Sequence, residues 1–222
     1  EYPSVNFIYI KQTPIDRKYI KSWKYNLRNF LPKNFLRNGS FINGWTLDYG
    51  INYINDQKIK IDYFMTLQMD IMVCKKNWIN DLLDNFDKHT IAVGVREQKN
   101  FDKNETILHS LGCLWDFKKF KLIKESFEPE FPKFDVGEKA ISVSISKGFT
   151  IKSLDNTYSY NYDWDPLKDL KIDKSFNNQR KLVFVHLGRG IDKSNNNDIN
   201  ILDWINLKNR ILNKWSQLEE NI

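Results

Sequence analysis

Tyr63-Phe64-Met65-Thr66-Leu67-Gln68-Met69-Asp70-Ile71-Met72-Val73 is the most continuous apolar run of the chain, interrupted by one carboxylate at Asp70. A run of this kind that follows a helical pattern reads as a strand buried on both faces. Asn77 to Phe86 follows, with Trp78, Ile79, Leu82, Leu83 and Phe86 near helical spacing, and Thr90 to Val95 is a second short apolar run. Strand, helix and strand in that order make a β-α-β alternation. The expected class is therefore α/β, with a mostly parallel mixed sheet flanked by helices.

Upstream, Ser4 to Ile10 is β-branched and aromatic and ends at Thr13-Pro14, which predicts a strand leaving into a turn. Ile20, Trp23, Leu27 and Phe30 recur at helical spacing after Asp16, and Trp45 to Ile54 carries a shorter pattern of the same period. Downstream, Ile107 to Phe117 reads as a strand. Ala140 to Ser146 alternates apolar residues with serines, which by pattern says strand, yet the Gly148-Phe149 that follows suits the C-cap of a helix, and the helix is favoured. Lys181 to Leu187 is a strand that ends in His186. Residues 198–219 place most of their apolar side chains on one face of a long helix, expected to dock on the core.

The 222 residues suit one sizeable core, so a single domain over residues 1–222 is expected. An aromatic content of 14% excludes a disordered chain. The net charge of +6 suggests an anionic partner, but lysines alternate with acids and form no stripe, and neither a zinc knuckle nor an RNA-binding aromatic signature is present, so no nucleic-acid partner is expected. Cys74 and Cys113 lack metal-ligand spacing and read as reduced core residues, which fits a cytoplasmic location. No apolar run reaches the roughly 20 residues that span a bilayer. Glu1-Tyr2-Pro3 resembles neither a signal peptide nor a natural start, which leaves an upstream element open.

Asp70 is the sharpest chemical feature, because a carboxylate in an apolar strand must be paired, hydrogen-bonded or metal-bound to stay ionised. Pairing with Lys75 or Lys76, or capping of the next helix, is the plainer account. Its surroundings add to it. Asn43-Gly44, then Leu47 to Asn52, then Phe64 to Asp70, then Trp78 opening a helix, resembles the family-2-like glycosyltransferases of GT-A (Rossmann-like) fold. Phe134-Asp135-Val136-Gly137-Glu138, with Gly148-Phe149 about ten residues on, is similar to that family's acidic stretch, helix and Gly-aromatic pair. The resemblance covers roughly residues 43–151.

What the resemblance implies is transfer of a sugar from a nucleoside-diphosphate donor to a glycan or other hydroxyl acceptor, inverting, assisted by Mn²⁺ or Mg²⁺, in the building of a surface polysaccharide. Asp70 and His186 would hold the metal, and a single carboxylate suffices when diphosphate oxygens and water complete the shell. Gln68 stands where the family has the first Asp of its Asp-x-Asp motif. With Asn43, Gly44 and Arg189 it is assigned to the donor. Asp135 and Glu138 are the candidate bases that take the acceptor's proton, with Asp135 preferred. His109 and Trp115 are assigned to the acceptor. Each has a plainer account: a backbone-satisfied core histidine for His186 and His109, the first turn of a helix for Glu138, an aromatic core for Trp115. Loss of catalysis with retained nucleotide binding, a nucleic-acid module, and peripheral contact with the inner face of a membrane are the competing or accompanying readings.

Overall fold

The apolar run of residues 63–73 does not make one strand. In the computed structural model it splits into β1 (Tyr63–Leu67) and β2 (Ile71–Val73), with Ile71 N donating to Gln68 O at 3.1 Å across the break. Described residues are 38–68, 71–96, 108–131, 133–156, 163–165, 167–168, 173–186 and 199–219. The strand expected at 4–10, the helix expected at 16–30, Asp70 and Arg189 lie outside them. From Ser40 to Ile222 the chain forms one compact unit.

The remaining elements are α1 (Asn38–Asp56), α2 (Trp78–Leu83), β3 (Thr90–Arg96), β4 (Leu108–Asp116), α3 (Phe117–Ile123), α4 (Glu138–Ser146), β5 (Thr150–Asn156), β6 (Asp173–Phe176), β7 (Leu182–His186) and α5 (Ile199–Glu219). The seven strands form one sheet in the order β1-β4-β3-β5-β6-β7-β2. Among its pairings only β3 with β5 is parallel. This corrects the expected architecture: the sheet is mixed, largely antiparallel and nearly closed into a barrel, and it is not a GT-A-like, Rossmann-like sheet flanked by helices. The physical reason lies in the split run. Its two halves pair with different partners, β1 with β4 and β2 with β7, so they become opposite margins of the sheet. Those margins then approach each other, since Ile71 Cδ1 would lie 3.5 Å from a Cβ built on Gly112, the partner of Leu67.

Alternate residues of each strand go to opposite faces of the sheet. Val93, Val95, Leu114, Leu154 and Phe184 face inward with Met65 and Ile71, Val183 packs into the same cluster, and Leu82 and Trp78 of α2 fill the same space. Ala92, Cys113, Trp115, Phe64 and Ile151 face outward, where Leu47 and Ile51 of α1, Phe120 and Ile123 of α3, and Ala140 and Ile141 of α4 cover them. Phe64, Trp115, Phe120 and Phe127 build an aromatic block there, with centroids 5.1–6.3 Å apart. On the outside of β7 and β2, α5 lays Trp204, Leu207 and Ile211 against Val185 and Met72.

The serine-rich stretch at 140–146 is helical because its ends are specified. Glu138 occupies the first turn, where a carboxylate suits the helix dipole. Gly148, at φ +82°, takes the left-handed position past the C-cap, and Gly148 N and Phe149 N close onto Ile145 O and Ser144 O at 2.9 and 3.1 Å. Among the described residues no helix is long and apolar enough to cross a membrane.

Strand directions fix where chemistry can gather. The pairings make β1, β3, β5 and β7 run one way and β2, β4 and β6 the other. The carboxyl ends of the first four and the amino ends of the other three therefore share one end of the barrel, called here the upper rim. At the opposite, lower end, α2 and its linkers connect β2 to β3.

Candidate functional site

The upper rim collects Gln68 after β1, His109 near the start of β4, Asp173 at the start of β6 and His186 at the end of β7. His186 is the centre of the group. In register it lies opposite Ile71 on one side and Asp173 on the other. Its Nδ1 is 3.6 Å from Asp173 Oδ2, and its ring centroid is 6.0 Å from that of His109, with the planes at 53°. Two atoms here are buried with no hydrogen-bond partner among the described residues: Gln68 Oε1 and Asp173 Oδ1. Such atoms are costly unless a donor or cation reaches them.

Asp70 precedes Ile71 in the chain, so the residue next to Asp70 is hydrogen-bonded opposite His186. Among the described residues no three His, Cys, Asp or Glu side chains form a metal-holding group. Of the two residues assigned to a metal, Asp70 lies outside the described residues and His186 offers an imidazole nitrogen, a donor of the kind that Mn²⁺ accepts.

The other candidates sit elsewhere. Asp135 and Glu138 belong to the entry of α4: Asp135 N donates to Glu138 Oε2 at 2.6 Å, and Asp135 Oδ1 accepts from Val136 N at 2.8 Å. Asp135 is buried at 9% exposure, and Gly137 N reaches Phe127 O at 3.0 Å. Both carboxylates are thus engaged at the entry of α4, Glu138 with the backbone ahead of its own helix and Asp135 with Val136 N. Asn43 and Gly44 lie in α1. A Cβ on Gly44 would come within 2.7 Å of Phe127 O, so this glycine lets α1 approach the loop before α4. Asp48 of the same helix accepts from Phe127 N at 2.9 Å and from the Ser126 hydroxyl, and burial pushes its carboxyl above the ordinary carboxylate range.

Trp115 is fully buried among Phe64, Phe120 and Phe127, so a sugar face would reach it only if the core opened. Trp164 packs edge-on to Phe176 at 5.0 Å and under the Arg180 guanidinium at 5.1 Å. Both cysteines are free thiols. Cys113 is buried, and burial pushes the Cys74 thiol up to about 12, so it stays protonated at neutral pH.

Sequence reasoning missed Asp173. Its segment Asp173-Lys174-Ser175-Phe176 has too few apolar residues to announce a strand, and nothing local marks the aspartate as the cross-strand neighbour of a histidine. Comparison with protein-family models, with curated proteins and with solved structures returned no match to this chain.

Proposed function

We propose that this chain is a glycosyltransferase that moves a sugar from a nucleoside-diphosphate donor to a hydroxyl of a glycan or other acceptor. The reading rests on residues and their placement and takes nothing from the fold class. The observation that carries it is the pairing of His186 with Ile71, which brings the end of β7 beside the chain leaving Asp70. The residue that follows Asp70 in the chain is thereby held opposite His186, the other residue singled out for metal ligation. The unpartnered Gln68 Oε1 and Asp173 Oδ1 at the same rim support a polar or cationic occupant.

In this reading Asp70 and His186 hold Mn²⁺ or Mg²⁺, which when bound neutralises charge on the departing diphosphate. Arg189, three residues after His186, offers a planar fork to the same phosphates. Gln68 donates or accepts at the donor with a neutral amide. Asp135 takes the proton of the acceptor hydroxyl as its oxygen attacks the anomeric carbon, giving inversion, and Glu138 holds the Asp135 backbone at 2.6 Å while it does so. Polysaccharide assembly in the cytoplasm, at the inner face of a membrane, is the setting that such a donor implies.

The test is thermal stability of the chain with UDP and with GDP, each with and without Mn²⁺. A stabilising shift that requires the metal, and that is lost in Asp70→Ala and in His186→Ala, is the expected result. No shift with either nucleotide and metal would overturn the reading. Donor hydrolysis or transfer in the same samples separates an enzyme from a protein that binds without turnover.

A further inference from the structure

The geometry points to Asp173 as the residue that positions His186, by accepting the Nδ1 proton and leaving the Nε2 lone pair for a ligand. This deepens the proposed metal role of His186 and rests on it for its function, though not for its structure. Three observations converge. First, His186 is held on both flanks by the sheet, with Asp173 in direct cross-strand register and Ile71 on the other side. Second, Asp173 Oδ2 lies 3.6 Å from His186 Nδ1, and no lysine or arginine among the described residues pairs with it. The neighbouring Lys174 is directed elsewhere, to Asp165 Oδ2 at 2.8 Å and to Leu167 O. Third, the Asp173 side chain is nine-tenths buried, and its Oδ1 has no hydrogen-bond partner among the described residues.

A carboxylate buried in this way is retained at a cost unless it faces a donor. The imidazole Nδ1–H is the donor that the register supplies. At 3.6 Å the contact is longer than a hydrogen bond, and a movement of less than an ångström closes it. Such tightening is ordinary when a site takes its ligand. His109, with its ring 6.0 Å away, packs beside His186. A free imidazole in water prefers its proton on Nε2, so a protein that needs Nε2 as a ligand must hold the proton on Nδ1, and a carboxylate is a common way of doing so. Asp173 is a positioning residue in this scheme and touches neither metal nor substrate.

The experiment uses the full chain. Nitrogen-15 NMR of the histidine side chains, assigned with His186→Gln and His109→Gln, reads the tautomer of His186 without metal. Expected is a proton on Nδ1 in the wild type, transferred to Nε2 in Asp173→Ala and partly retained in the isosteric Asp173→Asn, whose amide oxygen still accepts. In parallel, Mn²⁺ is titrated with UDP and separately with GDP, the free ion being counted by its EPR signal. Binding should weaken by about 10- to 100-fold in Asp173→Ala and by less in Asp173→Asn. An Nε2–H tautomer in the wild type, or a spectrum unchanged in both variants, overturns the role of Asp173. If the tautomer moves as expected but the wild type binds no Mn²⁺ with either nucleotide, Asp173 still positions His186 and it is the proposed metal function that fails.

Discussion

The two ends of the barrel treat their polar groups in opposite ways. At the lower end three carboxylates are each engaged more than once. Asp87 accepts from His89 N, Thr90 N, the Thr90 hydroxyl and Lys152 at 2.8–2.9 Å. Asp81 of α2 takes Lys75 at 2.8 Å and the Asn177 amide at 2.7 Å, which ties the helix to the hairpin between β6 and β7. Asp116 caps α3 through Lys119 N at 2.9 Å and also meets the Lys119 ammonium at 3.0 Å. At the upper rim, Asp173 and Gln68 each keep a buried oxygen without a partner among the described residues. The lower end is built to stay shut. The rim carries polar atoms that folding leaves unused, which is the pattern expected where stability is given up for binding.

The largest effect should come from a buried ion pair on the rim side. Asp165 and Lys174 form an ion pair at 2.8 Å with side chains 2% and 3% exposed, and it secures β6 directly beside Asp173. Asp165→Asn removes a charge partner of a buried lysine and should cost about 3 kcal/mol in a denaturation experiment. A loss below about 1 kcal/mol would show that this end tolerates unmatched buried charge, and the contrast between the ends would break. Next, Asp116→Ala removes the cap of α3 at the lower end and should destabilise by about 1 kcal/mol. At the rim, Gln68→Met removes an amide oxygen that has no partner among the described residues, so stability should hold or rise, within about 0.5 kcal/mol, while nucleotide-dependent stabilisation falls. Equal losses for Asp116→Ala and Gln68→Met would erase the distinction.

The smallest effect is a pH dependence at the lower end. Lys152, then the Thr90 hydroxyl and backbone donors, hold the Asp87 carboxyl well below the usual carboxylate range. Because the folded value is depressed, the stabilisation is complete above the unfolded value of about 4 and is lost as pH falls through the folded one. The difference in melting temperature between wild type and Asp87→Asn should therefore be present at neutral pH and shrink as the pH drops below about 4.

Local elements were legible in the sequence wherever period and punctuation agreed. The helix near Trp78, the strands at 90–96 and 182–186 and the long helix from 199 follow from patterns within ten to twenty residues, whereas the helix before Gly148 was legible only from its glycine, against an alternation that says strand. α3 was hidden because Trp115-Asp116-Phe117 continues an apolar strand, although Asp116 followed by Phe117, Phe120 and Ile123 carries both the cap and the spacing. Pairing was not legible. Whether β2 joins β3 in parallel or β7 in antiparallel depends on contacts far apart in the chain, and the break at Gln68 was masked by apolar neighbours on both sides. For the site, His186 and His109 could be nominated from the sequence as strand histidines, but their 6.0 Å proximity could not. Asp173 could not even be nominated, because its significance comes entirely from its register.

The split of the run at Gln68 also has a kinetic meaning. β1 pairs within fifty or so residues of itself, whereas β2 waits for β7, more than a hundred residues further along the chain. Contacts of such long range are slow to form and readily lost. The β1-β4-β3-β5 half can assemble while β2 still has no partner, and on heating the β2–β7 seam, held by three residue pairs, is the natural place to open first. The rim around His186 belongs to that seam. It should therefore be the last part of this protein to be completed and the first to be dismantled, and binding at the rim should disappear before most of the sheet does.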